Sequence, residues 1–295
     1  ENLEVVARLS ASLARLTSDA GARLRASERA LRLADRVGND RMLASAFTRY
    51  AIALYLMGRV DEALAANDHA CAVLRRDAGQ PDLRIAWALA HRSSILARLG
   101  RLDDARTCIA DAANIFTQLK AEREALGLSV YLAELEFADG QAERALQIVD
   151  QAIPVAVQTC DPENESIFTC NRAGYLLSLG DFTEAEATAR DAVILASKTY
   201  GTERVLHALE HLAAALVARG HAINAALLAG FVQAGYGRSG YERETTERSS
   251  HAILIAGLDR SLSQEDRAQL IRRGASMTQA AAIETALESA VRTNG

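Results

Sequence analysis

The sequence predicts an all-α chain built as a stack of helix pairs, and three observations carry that expectation. One six-residue pattern recurs: Gly58-Arg59-Val60-Asp61-Glu62-Ala63, then Gly100-Arg101-Leu102-Asp103-Asp104-Ala105, then copies opening at Gly140, Gly180 and Gly220, at intervals of 42, 40, 40 and 40 residues. A fixed period of this size marks an array of supersecondary units. Small residues also keep fixed places around each glycine: Ala51, Ser93, Ala133, Ala173 and Ala213 lie seven before it, Ala lies five after, and Ala70, Ala112, Ala152, Ala192 and Val232 lie twelve after. Finally, 49% of the 295 residues are apolar, with only three Pro and 5% aromatics. Much of that apolar content is Ala, which favours close-packed helices over strands.

Taken in order, 2–17 and 20–37 read as two helices, the second closing at Val37-Gly38-Asn39-Asp40. Aligning Ala30-Leu31 with Ala192-Val193 sets Ser18 in the glycine place, 40 residues before Gly58, so the first repeat is degenerate. Helix pairs follow at 41–57 with 60–77, 82–99 with 102–119, 122–139 with 141–157, 163–179 with 182–199, and 203–219 with 221–234, making six in all. Gly79-Gln80-Pro81-Asp82 and Cys160-Asp161-Pro162-Glu163 are the breaks, where Pro and Asp stop one helix and open the next.

The recurring pattern has a physical reason. Glycine ends the first helix in a left-handed turn that other side chains resist. The acids of Asp61-Glu62 and Asp103-Asp104 fall in the first turn of the next helix, where the dipole favours them. The small residues let the paired helices approach closely. Four before each glycine stand Leu54, Leu96, Glu136, Leu176 and Leu216, a core column with one exception. Glu136 either turns to solvent or is paired.

At its Gly and Ala positions the repeat resembles the tetratricopeptide repeat, although a period near 40 exceeds that family's usual 34. The longer period resembles the helical sensor domain of MalT-type LuxR regulators and related signal-transduction ATPases. So does the tail, in Ala225-Ala226-Leu227-Leu228-Ala229-Gly230-Phe231, a polar Gly-rich loop, a helix near 241–258, and Gly274-Ala275-Ser276-Met277-Thr278-Gln279-Ala280-Ala281-Ala282-Ile283. The repeat motif covers about residues 18–235. The resemblance implies a right-handed superhelix of about six tetratricopeptide-like repeats over 1–240, closed by a helical cap over 241–295 in which Ser263 and Thr278 are candidate N-caps. It also implies nucleotide-binding and DNA-binding parts upstream of Glu1, whose amphipathic register at the first residues reads as a fragment.

Composition narrows the function classes. A net charge of −5, spread along the chain, argues for neither a nucleic-acid surface nor an acidic tail. No apolar run is long enough to span a membrane and no signal segment opens the chain. Cys71, Cys108, Cys160 and Cys170 show no CxxC spacing and read as reduced thiols packed as small hydrophobes, which points to the cytoplasm. The basic run Arg15, Arg23, Arg25, Arg29, Arg32 and Arg36 reads as a solvated face with Asp19, Glu28 and Asp35 beside it.

Two motifs match catalytic patterns by letter. Gly235-Tyr236-Gly237-Arg238-Ser239-Gly240 fits GxGxxG, but that loop requires a preceding strand; a flexible helix-to-helix connection is expected instead. His207-Ala208-Leu209-Glu210-His211 fits the HxxEH of inverted zinc peptidases, with two His on one helical face. A hydrolase would need a third ligand and a closed site, whereas the array predicts a surface position. No phosphate-binding loop or nucleophile elbow occurs. The expectation is a protein that is not an enzyme and needs no cofactor.

The column nine residues before each glycine is the most informative feature. It holds Arg49, His91, Tyr131, Asn171 and His211, all hydrogen-bonding side chains on helices otherwise filled with Ala, Leu and Ile. Neighbouring columns add Trp87, His207, Thr48, Glu210, Ser94 and Glu134. In tetratricopeptide-like arrays the first helices line the concave side, so this resemblance makes the concave face the binding surface, for a protein, peptide or small-molecule effector. The expected contacts are Trp87, His91, Tyr131, Glu134 and Asn171, centred on repeats three to five, with Arg49, His207, Glu210 and His211 flanking them. The expected role is ligand sensing in a cytoplasmic transcription regulator, or else constitutive peptide scaffolding.

Overall fold

A computed structural model describes residues 3–17, 19–76, 81–198 and 202–288. All regular structure among them is α-helical. The helices are α1 (Leu3–Leu16), α2 (Ala20–Val37), α3 (Asp40–Leu56), α4 (Val60–Arg76), α5 (Leu83–Arg98), α6 (Leu102–Leu119), α7 (Glu122–Ala138), α8 (Ala142–Gln158), α9 (Pro162–Leu179), α10 (Phe182–Lys198), α11 (Thr202–Ala218), α12 (Ala222–Ser239), α13 (Thr245–Ser261), α14 (Gln264–Ala275) and α15 (Gln279–Glu288). Ser18, Gly79 and Gln80, which carried the degenerate glycine place and half of one predicted break, lie outside the described residues.

The repeated pattern works as its chemistry requires. Gly58, Gly100, Gly140, Gly180 and Gly220 all take positive φ, from 73° to 89°. At Gly100 the N–H donates to the Ala97 carbonyl while the Arg101 N–H reaches back to Leu96, satisfying the last carbonyls of α5. Every small residue seven before or five and twelve after these glycines is buried. The leucines of the core column are buried with them, and so is Glu136.

The chain divides into two compact units, residues 1–139 with 239–242, and residues 140–238 with 243–295. In unit 1 successive helices pack as antiparallel neighbours, and α3 also packs on α5 and α5 on α7. Segment 239–242 belongs to this unit: the Tyr241 hydroxyl donates to the Thr17 carbonyl (3.2 Å), the Glu242 N–H to the Leu56 carbonyl (2.8 Å), and the Glu242 carboxylate pairs with Arg98 (2.5 Å).

Unit 2 is held differently. Helix α13 lies against α9 and α11, and α15 against α10 and α11. Helices α12 and α14 cross at two glycines, where a Cβ on Gly274 would strike the Leu227 carbonyl and one on Gly230 the Ile271 carbonyl. Ser263 and Thr278 do cap α14 and α15: Ser263 Oγ accepts from the Asp266 N–H (3.1 Å), and Thr278 Oγ1 from the Ala281 N–H (3.2 Å).

Two expectations need correction. The Gly-rich stretch 235–240 is no loop, since α12 continues through it to Ser239. Gly235 is buried there because its missing Cβ leaves room for the Leu206 side chain. Among the cysteines, Cys71, Cys108 and Cys170 are buried, but Cys160 is exposed. It sits at φ 52°, in the turn that ends α8, where the sequence places a break, and there it is not packed as a small hydrophobe.

Candidate functional site

One helical stripe, repeated along the first helices of successive pairs, is open in unit 1 and covered in unit 2. In unit 1 it floors a cavity of about 380 Å³, lined by Arg23 and Ser27 of α2, Ser45, Thr48, Arg49 and Ile52 of α3, and Arg84, Trp87 and His91 of α5. Positions 48, 49 and 52 lie three, four and seven after Ser45, and 87 and 91 lie three and seven after Arg84, which sets each group along one side of its helix.

An aromatic and imidazole cluster forms one wall. Trp87 is half-buried, its ring edge-on to Phe116 at 5.3 Å and 6.2 Å from Tyr131. The Tyr131 hydroxyl lies 3.0 Å from His91 Nδ1, an interaction that joins α5 to α7 through residues 40 apart. Burial, reinforced by the Arg49 charge, pushes the His91 imidazole from 6.5 down to about 4. It is therefore neutral at pH 7, and can accept a hydrogen bond from Tyr131.

Toward the N-terminus of α5 the same stripe is basic. Arg84 Nε and Nη2 donate to Asp82 Oδ2 (3.1 and 2.5 Å), and Asp82 caps α5 through the Arg84 N–H (2.8 Å). Burial raises the Asp82 carboxyl, but the Arg84 hydrogen bonds outweigh it and hold the group below its ordinary value. The Arg23 guanidinium donates to the Thr17 carbonyl (3.0 and 3.2 Å) and lies over the Tyr241 ring. A second cavity, of about 600 Å³, shares Ser45, Arg49 and Arg84 with the first and adds Arg8, Asn39 and Arg41.

In unit 2 the equivalent stripe is occupied by the chain itself. His211 and Glu210 are both 0% exposed. His211 Nδ1 lies 2.8 Å from Ser250 Oγ, and the Glu210 carboxylate accepts from Arg243 Nε (2.7 and 2.8 Å) and faces His251 Nδ1 (2.9 Å). Glu247 is buried 3.5 Å from His207 and 3.7 Å from His211. His207 in turn stacks on Tyr236. Gly174 of α9 has space for neither a Cβ nor a larger group, because Thr246 and His211 fill it. This corrects the surface position expected for the HxxEH motif: α13 packs on it. Among the described residues no three His, Cys, Asp or Glu side chains are grouped to hold a metal ion.

Of the nine candidate residues, the structure brings Arg49, Trp87 and His91 to the cavity and sets Tyr131 against the last two. Glu134 is half-buried on α7, three residues on from Tyr131. Asn171, Glu210 and His211 are buried in unit 2, and His207 is half-buried there. Arg23, Arg84, Ser45 and Ile52 were missed. Extending the stripe one turn toward each helix N-terminus would have found Ser45 and Arg84, at three to four residues before Thr48, Arg49 and Trp87.

No family profile and no curated protein matches this sequence. Solved structures do share its fold. NprR in complex with its cognate peptide NprX is 13% identical, with a TM-score of 0.61 over 92% of this chain and 77% of that one. The Rap conjugation gene regulator of plasmid pLS20, in complex with the Phr* peptide, is 14% identical with a TM-score of 0.56, covering 85% and 71%. A Rap protein complexed with competence and sporulation factor is 10% identical with a TM-score of 0.55, covering 85% and 72%. At these identities the likeness concerns the fold alone, which is all-α and made of tetratricopeptide-like helix pairs.

Proposed function

We propose that this chain is a non-catalytic binding module that takes a peptide across the open stripe of α3 and α5. One observation carries the reading: in unit 2 the same stripe already receives a segment of polypeptide, residues 243–251, through Glu210 and His211. A face that holds one helical segment by hydrogen bonds in one unit, and forms a cavity in the other, has the chemistry to hold a second. The fold likeness to NprR and Rap, solved with peptides, supports a peptide over other ligands. Trp87 and Tyr131 supply aromatic anchors of the kind in which interfaces concentrate their energy.

The resemblance to MalT-type sensors supports a host that is a cytoplasmic transcription regulator or signalling ATPase, with this module as its effector-sensing part. No helix among the described residues is long and apolar enough to cross a membrane, which is compatible with that host. Constitutive scaffolding is the competing role. The codons preceding Glu1 discriminate the two: a phosphate-binding loop and a helix-turn-helix support the regulator, and their absence removes it.

The peptide reading is tested with Trp87→Ala and Tyr131→Ala. Either should weaken peptide binding by more than about 1 kcal/mol while the helical circular dichroism stays unchanged. Unaltered affinity in both variants would overturn the site.

A further inference from the structure

Counted from the glycines, the groove that α13 fills in unit 2 has a counterpart in unit 1. Four places meet the docked segment: Gly174 of α9, six before Gly180, and His207, Glu210 and His211 of α11, thirteen, ten and nine before Gly220. The same places on α3 and α5 hold Ile52, Trp87, Ala90 and His91. Ile52, Trp87 and His91 line the cavity of about 380 Å³, so the place a helix occupies in unit 2 is open in unit 1.

The exchange removes what the polar contacts of the docked segment require. Arg243 and His251 meet Glu210, where unit 1 has Ala90, and Glu247 lies beside His207, where unit 1 has Trp87. Ser250 Oγ meets His211 Nδ1, whereas His91 Nδ1 faces the Tyr131 hydroxyl of α7. Ile52 replaces the bare Gly174. The hydroxyls of Ser27, Ser45 and Thr48 donate to carbonyls of their own helices (2.9, 2.9 and 3.0 Å), so their protons are already placed. Segment 239–242 closes the glycine end of the groove, with Glu242 against Gly58 and bonded to Leu56 and Arg98. What stays open spans about two helical turns, or roughly 11 Å.

We infer that the groove between α3 and α5 takes a short amphipathic helix of a partner protein, lying as α13 lies against α9 and α11, with an apolar face on Ile52, Trp87 and Ala90. This rests on the peptide reading above and adds the ligand's conformation and the chemistry of its docking face. The segment that docks on this stripe in unit 2 is helical from Thr245, and its buried residues Thr246, Glu247, Ser250 and Leu254 recur at helical spacing. An amphipathic helix in a groove is read through apolar anchors at the same three-, four- and seven-residue intervals. Removing those anchors from water against Trp87 and Ile52 supplies the affinity.

Trp87 is the single tryptophan of the chain, so its fluorescence reports occupancy of this groove. The full chain is titrated with two end-blocked dodecapeptide pools of one composition, with leucines at helical spacing in the first and at alternate positions in the second. The expected result is a saturable change with the first pool, at least about tenfold tighter than with the second, and a gain of helical circular dichroism by the peptide. A central proline in the first pool should weaken binding by more than about tenfold, because it breaks the helix. Ile52→Glu should abolish the preference. Ser45→Arg, which sends a long side chain into the cavity from a half-buried helix position, should abolish it too and guards against misfolding of the first variant. Equal binding of the two pools, or tighter binding of the second, overturns the helical class while leaving the peptide site standing. No response to either pool, or a response unchanged in both variants, overturns the class and the peptide reading together.

Discussion

Glu136 stands in a column that is leucine in the other repeats, and it is 1% exposed. Its carboxylate bonds Arg106, whose other nitrogen holds Asp139 at 2.5 Å. The place is legible from the repeat, but its solution is not, because Arg106 sits 30 residues away on the neighbouring helix. Removing one partner of a buried pair strands the other, so Arg106→Ala should cost about 3–5 kcal/mol, whereas Glu136→Leu, restoring the column, should be neutral or stabilising. Urea denaturation of both variants checks this; equal losses would mean that the pair contributes no specific requirement. His91 makes a second case. Its imidazole is held near 4, so the unfolded chain takes up a proton between about pH 6.5 and 4 that the folded one refuses. Stability present above pH 6.5 is lost across that window, at most about 3 kcal/mol, and His91→Gln should flatten the dependence of the urea midpoint on pH.

At the scale of elements, the helix pairs were legible to within a few residues because their ends are local events: a glycine at positive φ, an Asp cap at 82 or 161, a proline at 162. What covers a helix is not local. Nothing in the polar column distinguishes His91, half-buried beside a cavity, from His211, sealed under α13, since the covering helix lies 34 residues further along the sequence. The Gly-rich stretch misled for a similar reason: Gly235 and Gly237 lie in a helix whose close neighbour, Leu206, is distant in sequence. The crossing of α12 and α14 tests how far such contacts hold the unit. A Cβ at position 274 meets backbone that cannot rotate away, so Gly274→Ala should cost about 1–3 kcal/mol and should raise amide exchange in α14 while leaving α3 and α5 unchanged. Retained protection in α14 would show that the crossing tolerates a methyl group.

For the molecule as a whole, the fold was legible because the glycine and alanine places state the sterics of pairing directly, whereas the candidate site was legible only in part. The polar stripe of the first helices is readable from the sequence, yet the cavity beside it engages α2, α3 and α5, further toward the N-terminus than repeats three to five. The acidic face of unit 2 has a partner within the chain. Truncation before Arg243 should therefore uncover Glu210, His211 and the apolar face of α11 together, and bring dye-accessible hydrophobic surface and loss of solubility. A truncated chain that stays monomeric and dye-silent would show that residues 243–295 are dispensable as a cap.

The central claim is that polypeptide docks on the stripe of α3 and α5, and a photo-crosslinking map tests it most directly. A peptide carrying a diazirine side chain, selected for binding to the full chain, is irradiated in complex and the adducts are located by mass spectrometry. The account predicts adducts on residues of α2, α3 and α5, at or next to Arg49, Ile52, Trp87 and His91, and their loss with Trp87→Ala. Adducts concentrated on the second helices α4 and α6, or within residues 140–238, would contradict it.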